Sequence, residues 1–306
     1  MGEWSIHNID TFLEEEDWQS FVNHHTAAGM MLGVFFITCS YPIIHKIYLA
    51  KSARYREELS SEQQLVVVQH TIQATFLSLI VGPLTYLILS LFFEEQDSQE
   101  QLSNKVAAIA TFMFVVIMMY MVEIASRFSN LRPLVLAHHL CAYLDSIYPA
   151  FFLTTANVKA SSLLVYFICY EALTFVGLVL YRLAPTSRWT RPTILAGMIV
   201  FGLSRPVQFA WIFGTLIASW DDISSGHAIF QMVLTTLFTA LQIYSLTIHW
   251  SLYKKSARKV QQESHHKSIG LEEEEVDDSL ERTEPLGVTE RGSSETWNLA
   301  RTEYQV

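Results

Sequence analysis

Residues 65–93 read LVVVQHTIQATFLSLIVGPLTYLILSLFF. These 29 residues contain no Asp, Glu, Lys or Arg. As a helix rising about 1.5 Å per residue they would extend about 43 Å. The hydrocarbon core of a bilayer is about 30 Å thick. The stretch is therefore long enough to cross a membrane and either tilt or emerge from it. Six others share its character, at 26–48, 106–126, 134–154, 160–181, 193–218 and 228–253. The reading predicts an all-α membrane protein with seven transmembrane helices. The loops between them are short, so successive helices should be antiparallel.

Composition supports this class. The 306 residues are 51% hydrophobic and only 16% charged, against about 25% charged in an average soluble chain. The charges gather in the ends and the short loops. Much of the net charge of −10 comes from EEED at 14–17 and LEEEEVDDSLE at 271–281. Nothing forms a basic nucleic-acid patch. The expected organisation is a segment 1–25, a first helix and loop 26–55, a membrane domain 56–255 and an irregular acidic tail 256–306. Trp4, Phe12, Trp18 and Phe21 could place a short helix of the first segment at the headgroup level. The first 25 residues lack Lys, Arg and an apolar core, so the first apolar helix is expected to target the chain itself.

Basic residues set the orientation. One set of loops and helix ends carries Lys46, Lys51, Arg54, Arg56, Arg127, Arg132, Arg182, Arg188, Arg191, Lys254, Lys255, Arg258 and Lys259; the other carries Lys105 and Lys159. Thirteen against two predicts a lumenal N-terminus and a cytosolic C-terminus. Cys39, Cys141 and Cys169 lie in apolar segments with no disulfide or zinc spacing, and read as small buried hydrophobes.

Ionisable groups inside the apolar stretches are costly and mark function by default. Position along each helix gives their depth. His138 and His139 follow closely on Arg132, His70 lies near the start of its span, and Glu123 and His249 lie near the ends of theirs. All five fall in the cytosolic half. Asp145, Glu171 and Arg205 fall near the midplane. Arg205 stays charged, and its counter-ion is expected to be Glu171 or Asp145. His138 and Asp145 are seven residues apart and share a face. Pro83, Pro149 and Pro206 are candidate kinks. Histidine exchanges protons near neutral pH and can act as a nucleophile, and a carboxylate can orient it. Acyl transfer to or from a lipid suits that chemistry, and so would metal ligation.

These residues resemble a known family. EQQLVVVQHTIQATF at 62–76, YMVEIASRF at 120–128, the histidine pair 138–139, CYEALTFVGLVLYRL at 169–183 and GLSRPVQFAWIF at 202–213 are similar in order and spacing to the TLC domain. That domain is shared by ceramide synthases and translocating-chain-associated membrane proteins. The resemblance covers roughly residues 56–255 and implies a six-helix barrel around a membrane-embedded cavity, with one extra helix before it. It also implies that His138 and His139 carry acyl transfer, with acyl-CoA as co-substrate, membrane lipids as partners and no bound cofactor. Tyr170-Glu171 stands where ceramide synthases carry a His-Asp pair. The chain more closely resembles less characterised members, linked to lipid composition and trafficking in the endoplasmic reticulum. A non-catalytic lipid-binding or trafficking protein is the main alternative. A seven-helix receptor is disfavoured by the absence of an Asp-Arg-Tyr end on the third helix. A metal-dependent hydroxylase would need more embedded histidine boxes than the single pair found.

Overall fold

The computed structural model describes residues 18–93, 99–128, 133–151, 163–218, 220 and 225–280. Among them every regular element is a helix and no strand occurs. That is the expected outcome for apolar segments in lipid. Only a helix satisfies all backbone N–H and C=O groups within one segment. The elements are α1 (Trp18–Lys51), α2 (Ala53–Glu57), α3 (Ser61–Phe93), α4 (Gln99–Arg127), α5 (Pro133–Phe151), α6 (Glu171–Leu183), α7 (Thr190–Ala218) and α8 (Ser225–Leu280). Residues 163–169 are also helical and lead into α6 through a turn at Tyr170.

Six helices are long and apolar enough to cross a membrane: Ala27–Lys51, Ser61–Ser90, Asn104–Arg127, Leu163–Leu183, Thr190–Ala218 and Ser225–Gln261. The expected seventh, at 134–154, forms α5 but is not among them. The helices run through Pro42, Pro83 and Pro206 without interruption, and α5 continues past Pro149 to Phe151. The last helix also runs further than composition suggests. It extends to Leu280, into residues expected to be irregular. Glu, Lys, Gln and Leu all favour helix whether or not they are buried, and these residues recur there. Residues 281–306 lie outside the described part of the chain, as do 1–17 with Trp4 and Phe12. Trp18 and Phe21 belong to the first turns of α1.

α3 packs on α4 and α6, α6 on α7, α7 on α8, α8 on α5, and α5 on α4. α1 lies outside these six, against α4 and α3. Its close approach depends on two glycines one turn apart. A Cβ on Gly29 would stand 2.8 Å from Phe114 Cβ, and one on Gly33 would stand 2.8 Å from Met118 Cβ. Small residues four apart let two membrane helices meet at backbone distance. Met31, Phe35 and Ile43 leave large apolar areas exposed on α1, as a lipid-facing surface does.

The link from α1 to α3 is tightly tied. Ser52 caps α2, accepting from the Tyr55 backbone N–H at 3.1 Å. Gln64 Nε2 donates to the carbonyls of Tyr55 and Leu59 at 2.9 and 3.2 Å. The Tyr55 ring is fully buried, with its hydroxyl 2.6 Å from His45 Nδ1. Tyr48 and Thr71 join α1 to α3 through their hydroxyls at 2.8 Å.

Candidate functional site

The six helices in mutual contact enclose a cavity of about 160 Å³. An apolar void of about 150 Å³ accepts a benzene ring, so the space suits the reacting end of a ligand rather than a whole acyl chain. Every one of these helices contributes to the wall: His70 from α3, Glu123 from α4, His138 and His139 from α5, Glu171 from α6, Phe201 from α7 and His249 from α8. Arg127, Leu134, Arg182 and Leu252 also line it. The first three sit at helix ends, and Leu252 precedes Lys254 and Lys255, so the pocket lies toward the end of the bundle that is rich in Lys and Arg.

Glu123 is the hub of the histidine cluster. It is 3% exposed and accepts two hydrogen bonds. Arg127 Nη1 donates to Oε1 at 2.8 Å from the next helical turn. Gln73 Nε2 donates to Oε2 at 2.9 Å from α3. Two imidazoles stand on either side, beyond hydrogen-bond length: His70 Nε2 at 3.9 Å from Oε1 and His139 Nε2 at 3.8 Å from Oε2. At that range the carboxylate acts on them through its field or through an intervening water. Gln69, beside His70, donates to Ser126 Oγ at 2.5 Å and ties α3 to α4 once more.

The adjacent histidines diverge, as neighbours on a helix must. His139 turns to α4, with its ring 5.3 Å from Tyr120. His138 turns to α8, stacking on Phe238 at 5.2 Å and 22°. Both still line the cavity, their rings 5.5 Å apart. His249 Nδ1 lies 2.7 Å from the Ser245 carbonyl. A carbonyl only accepts, so Nδ1 carries the hydrogen and Nε2 holds the lone pair. Among the described residues that Nε2 is buried without a hydrogen-bond partner, as are Nδ1 of His70, His138 and His139.

A second network crosses α4, α6 and α7. Arg205 Nη2 donates to Glu171 Oε1, and Tyr120 Oη donates to Oε2 at 2.7 Å. Arg205 Nη1 donates to Gln208 Oε1 at 2.6 Å, and the guanidinium lies 4.3 Å over the Phe201 ring. The counter-ion of Arg205 is thus Glu171. Asp145 stands apart, at the contact of α5 with α8, where it accepts from Gln231 and Thr235. The five side chains assigned to the cytosolic level do converge on one pocket. Glu171 reaches it too, so the two levels are joined rather than separate.

Sequence reading missed Tyr120, Gln73, Arg127 and Arg182. By sequence the two arginines belong with the charges of the loops and helix ends. The spacing of Glu123 and Arg127, four residues on one helix, was the available signal. Among the described residues no three His, Cys, Asp or Glu side chains are placed to share a metal ion.

No family model, curated protein or solved structure matches the chain. The class rests on the helices themselves: this is an integral membrane protein that crosses the bilayer several times, and every regular element among its described residues is a helix.

Proposed function

We propose that the chain is a seven-helix member of the TLC-domain group acting in lipid metabolism or lipid homeostasis, and that its pocket performs acyl transfer. α5 is the remaining span in this reading, and α3 to α8 form the barrel. The observation that carries the reading is the meeting of four histidines and Glu123 in one cavity, walled by six helices in an apolar bundle. A cavity of this size takes the reacting end of an acyl chain, with a polar head entering from the basic end. The Lys/Arg bias supports a cytosolic position for that end and a lumenal N-terminus. The endoplasmic reticulum follows from the family resemblance.

In this reading acyl-CoA is the co-substrate and a membrane lipid with a free amine or hydroxyl is the acceptor. His139 is the better placed base. With its Nε2–H toward Glu123, Nδ1 holds the lone pair. That nitrogen takes the acceptor's proton as the acceptor attacks the thioester carbonyl. The thiolate leaves and recovers the proton from the imidazolium. Glu123 stabilises the imidazolium between the two steps. His138, 5.5 Å away, is the alternative base or nucleophile.

A second reading has a specific observation in its favour. Glu123 is already occupied by Arg127 and Gln73, and neither imidazole reaches it at hydrogen-bond length. A network that mainly braces helices suits a lipid-binding or trafficking protein. Lipid profiles of cells lacking the chain, restored with either the parent or the His138→Ala/His139→Ala variant, separate the two. Catalysis requires that the variant, folded and correctly located, leaves the lipid defect in place. Full restoration by the variant overturns catalysis and leaves the binding role.

A further inference from the structure

Asp145 belongs to neither network and does not line the pocket. It is 0% exposed. Its Oδ1 accepts from Gln231 Nε2 and, at 3.3 Å, from Thr235 Oγ1. Both partners are on α8 and are also buried, at 4% and 1%. Two atoms of the group are left over. Asp145 Oδ2 and Gln231 Oε1 are buried and have no hydrogen-bond partner among the described residues. Both are acceptors if the aspartate is ionised.

Among the described residues no Lys, Arg or His forms an ion pair with Asp145. On its own helix the titratable groups one and two turns back are the free thiol of Cys141 and His138, which is stacked on Phe238, while Tyr143, two residues back, lies on another face. From α8 it meets Gln231 and Thr235, which do not titrate; His227, one turn before Gln231, has an interaction of its own and forms no ion pair with Asp145 among the described residues. From α4, Tyr120 and Glu123 are engaged with Glu171, His139, Arg127 and Gln73 instead. An unpaired carboxylate held there would carry a large, uncompensated desolvation penalty.

A carboxylic acid removes both difficulties. It has one C=O to accept and one O–H to donate, and a primary amide has the matching N–H and C=O. With Gln231 Nε2–H on Oδ1, a proton on Oδ2 can donate to Gln231 Oε1. The two side chains then close a ring of two hydrogen bonds, and both leftover atoms are satisfied. We infer that Asp145 holds a proton inside the membrane, as a neutral acid paired in a ring with the Gln231 amide, and that this pair clamps α5 to α8. The occupant of the site is a proton, and no metal cation is required. The clamp holds the helix that carries His138 and His139, but it does not depend on what the pocket does.

The test uses the full chain, purified in detergent. Infrared difference spectra between the parent and Asp145→Asn at neutral pH should show loss of the carbonyl stretch of a protonated acid. Loss of carboxylate bands instead overturns the proposal. Asparagine presents the same donor and acceptor as a protonated aspartate, so its thermal midpoint should stay within about 2 °C of the parent. Exchanging choline chloride for sodium chloride at constant ionic strength should leave the parent's midpoint unchanged. A sodium-dependent rise that Asp145→Asn abolishes means the site holds a cation, and the proposal falls. Should Asp145→Asn fail to accumulate, Gln231→Leu decides: the acid band should move to the frequency of a weakly bonded carbonyl, and an unmoved band refutes the ring.

Discussion

Arg205 donates to Glu171 between two neighbouring helices, with both groups almost fully buried. The bond joins α7 to α6, and Tyr120 extends it to α4. A buried ion pair contributes little net stability against an apolar replacement, yet losing one partner leaves the other charge stranded at a cost of about 3–5 kcal/mol. Arg205→Met and Glu171→Leu should each lower the stability of the purified chain by that order. The double variant should recover a large part of either loss. Thermal or denaturant unfolding in detergent, arranged as a double-mutant cycle, measures the coupling. Simple addition of the two single losses would show that the charges do not depend on each other.

Gly29 and Gly33 are where α1 touches α4 at backbone distance. Gly33→Leu should push α1 away from Met118, costing about 1–3 kcal/mol, while leaving the polar contacts of α3 to α8 unchanged. Disulfide trapping between cysteines placed at 33 and 118 should be efficient in the parent background. With leucine at 29 it should drop.

Tyr55 sets a pH dependence outside the membrane spans. Burial, with a smaller contribution from the phenols of Tyr41 and Tyr48, holds its hydroxyl well above the usual tyrosine range. The folded state therefore keeps a proton that the unfolded chain loses at about pH 10. The contribution of Tyr55 is complete below that pH and is lost as pH rises beyond it. Tyr55→Phe should cost about 1 kcal/mol at neutral pH through the lost contact with His45, and it should flatten the alkaline decline. Unfolding midpoints at a series of pH values check both parts.

For the proposed acyl transfer, His139→Ala should reduce turnover about 10²–10⁴-fold, the usual worth of a general base. Glu123→Gln should cost less, since the amide can still accept from Arg127 while the charge beside His139 is gone. Rates with isolated membranes, acyl-CoA and candidate acceptors provide the comparison. A Glu123→Gln loss larger than that of His139→Ala would reverse the assigned roles.

The proposed orientation has a direct check. A glycosylation sequon added before residue 18 should be modified, and a tag after residue 306 should be cleaved by protease added to sealed microsomes. The opposite pattern would mean that the charge bias has been misread.

Much of this chain is legible from its order of residues alone. Lipid excludes unpaired backbone polar groups, so a long apolar run such as 65–93 has helix as its only outcome. Position along a helix also gives depth, so sequence alone assigns His70, Glu123, His138, His139 and His249 to one level. Azimuth is a different matter. Which face of one helix meets which neighbour depends on packing summed over the whole bundle. Tertiary structure alone decided that Arg205 meets Glu171 and that Asp145 turns to Gln231. The α5–α8 register shows how. From His138 to Asp145 is seven residues forward, and from Phe238 to Gln231 is seven residues back, so one antiparallel contact fixes both pairs. Arg127 and Arg182 look like loop charges in the sequence because local sequence cannot tell a helix end facing water from one that folds its side chain over a cavity. That choice is made by the neighbouring helices, through Glu123 for Arg127 and through the walls of the pocket for Arg182.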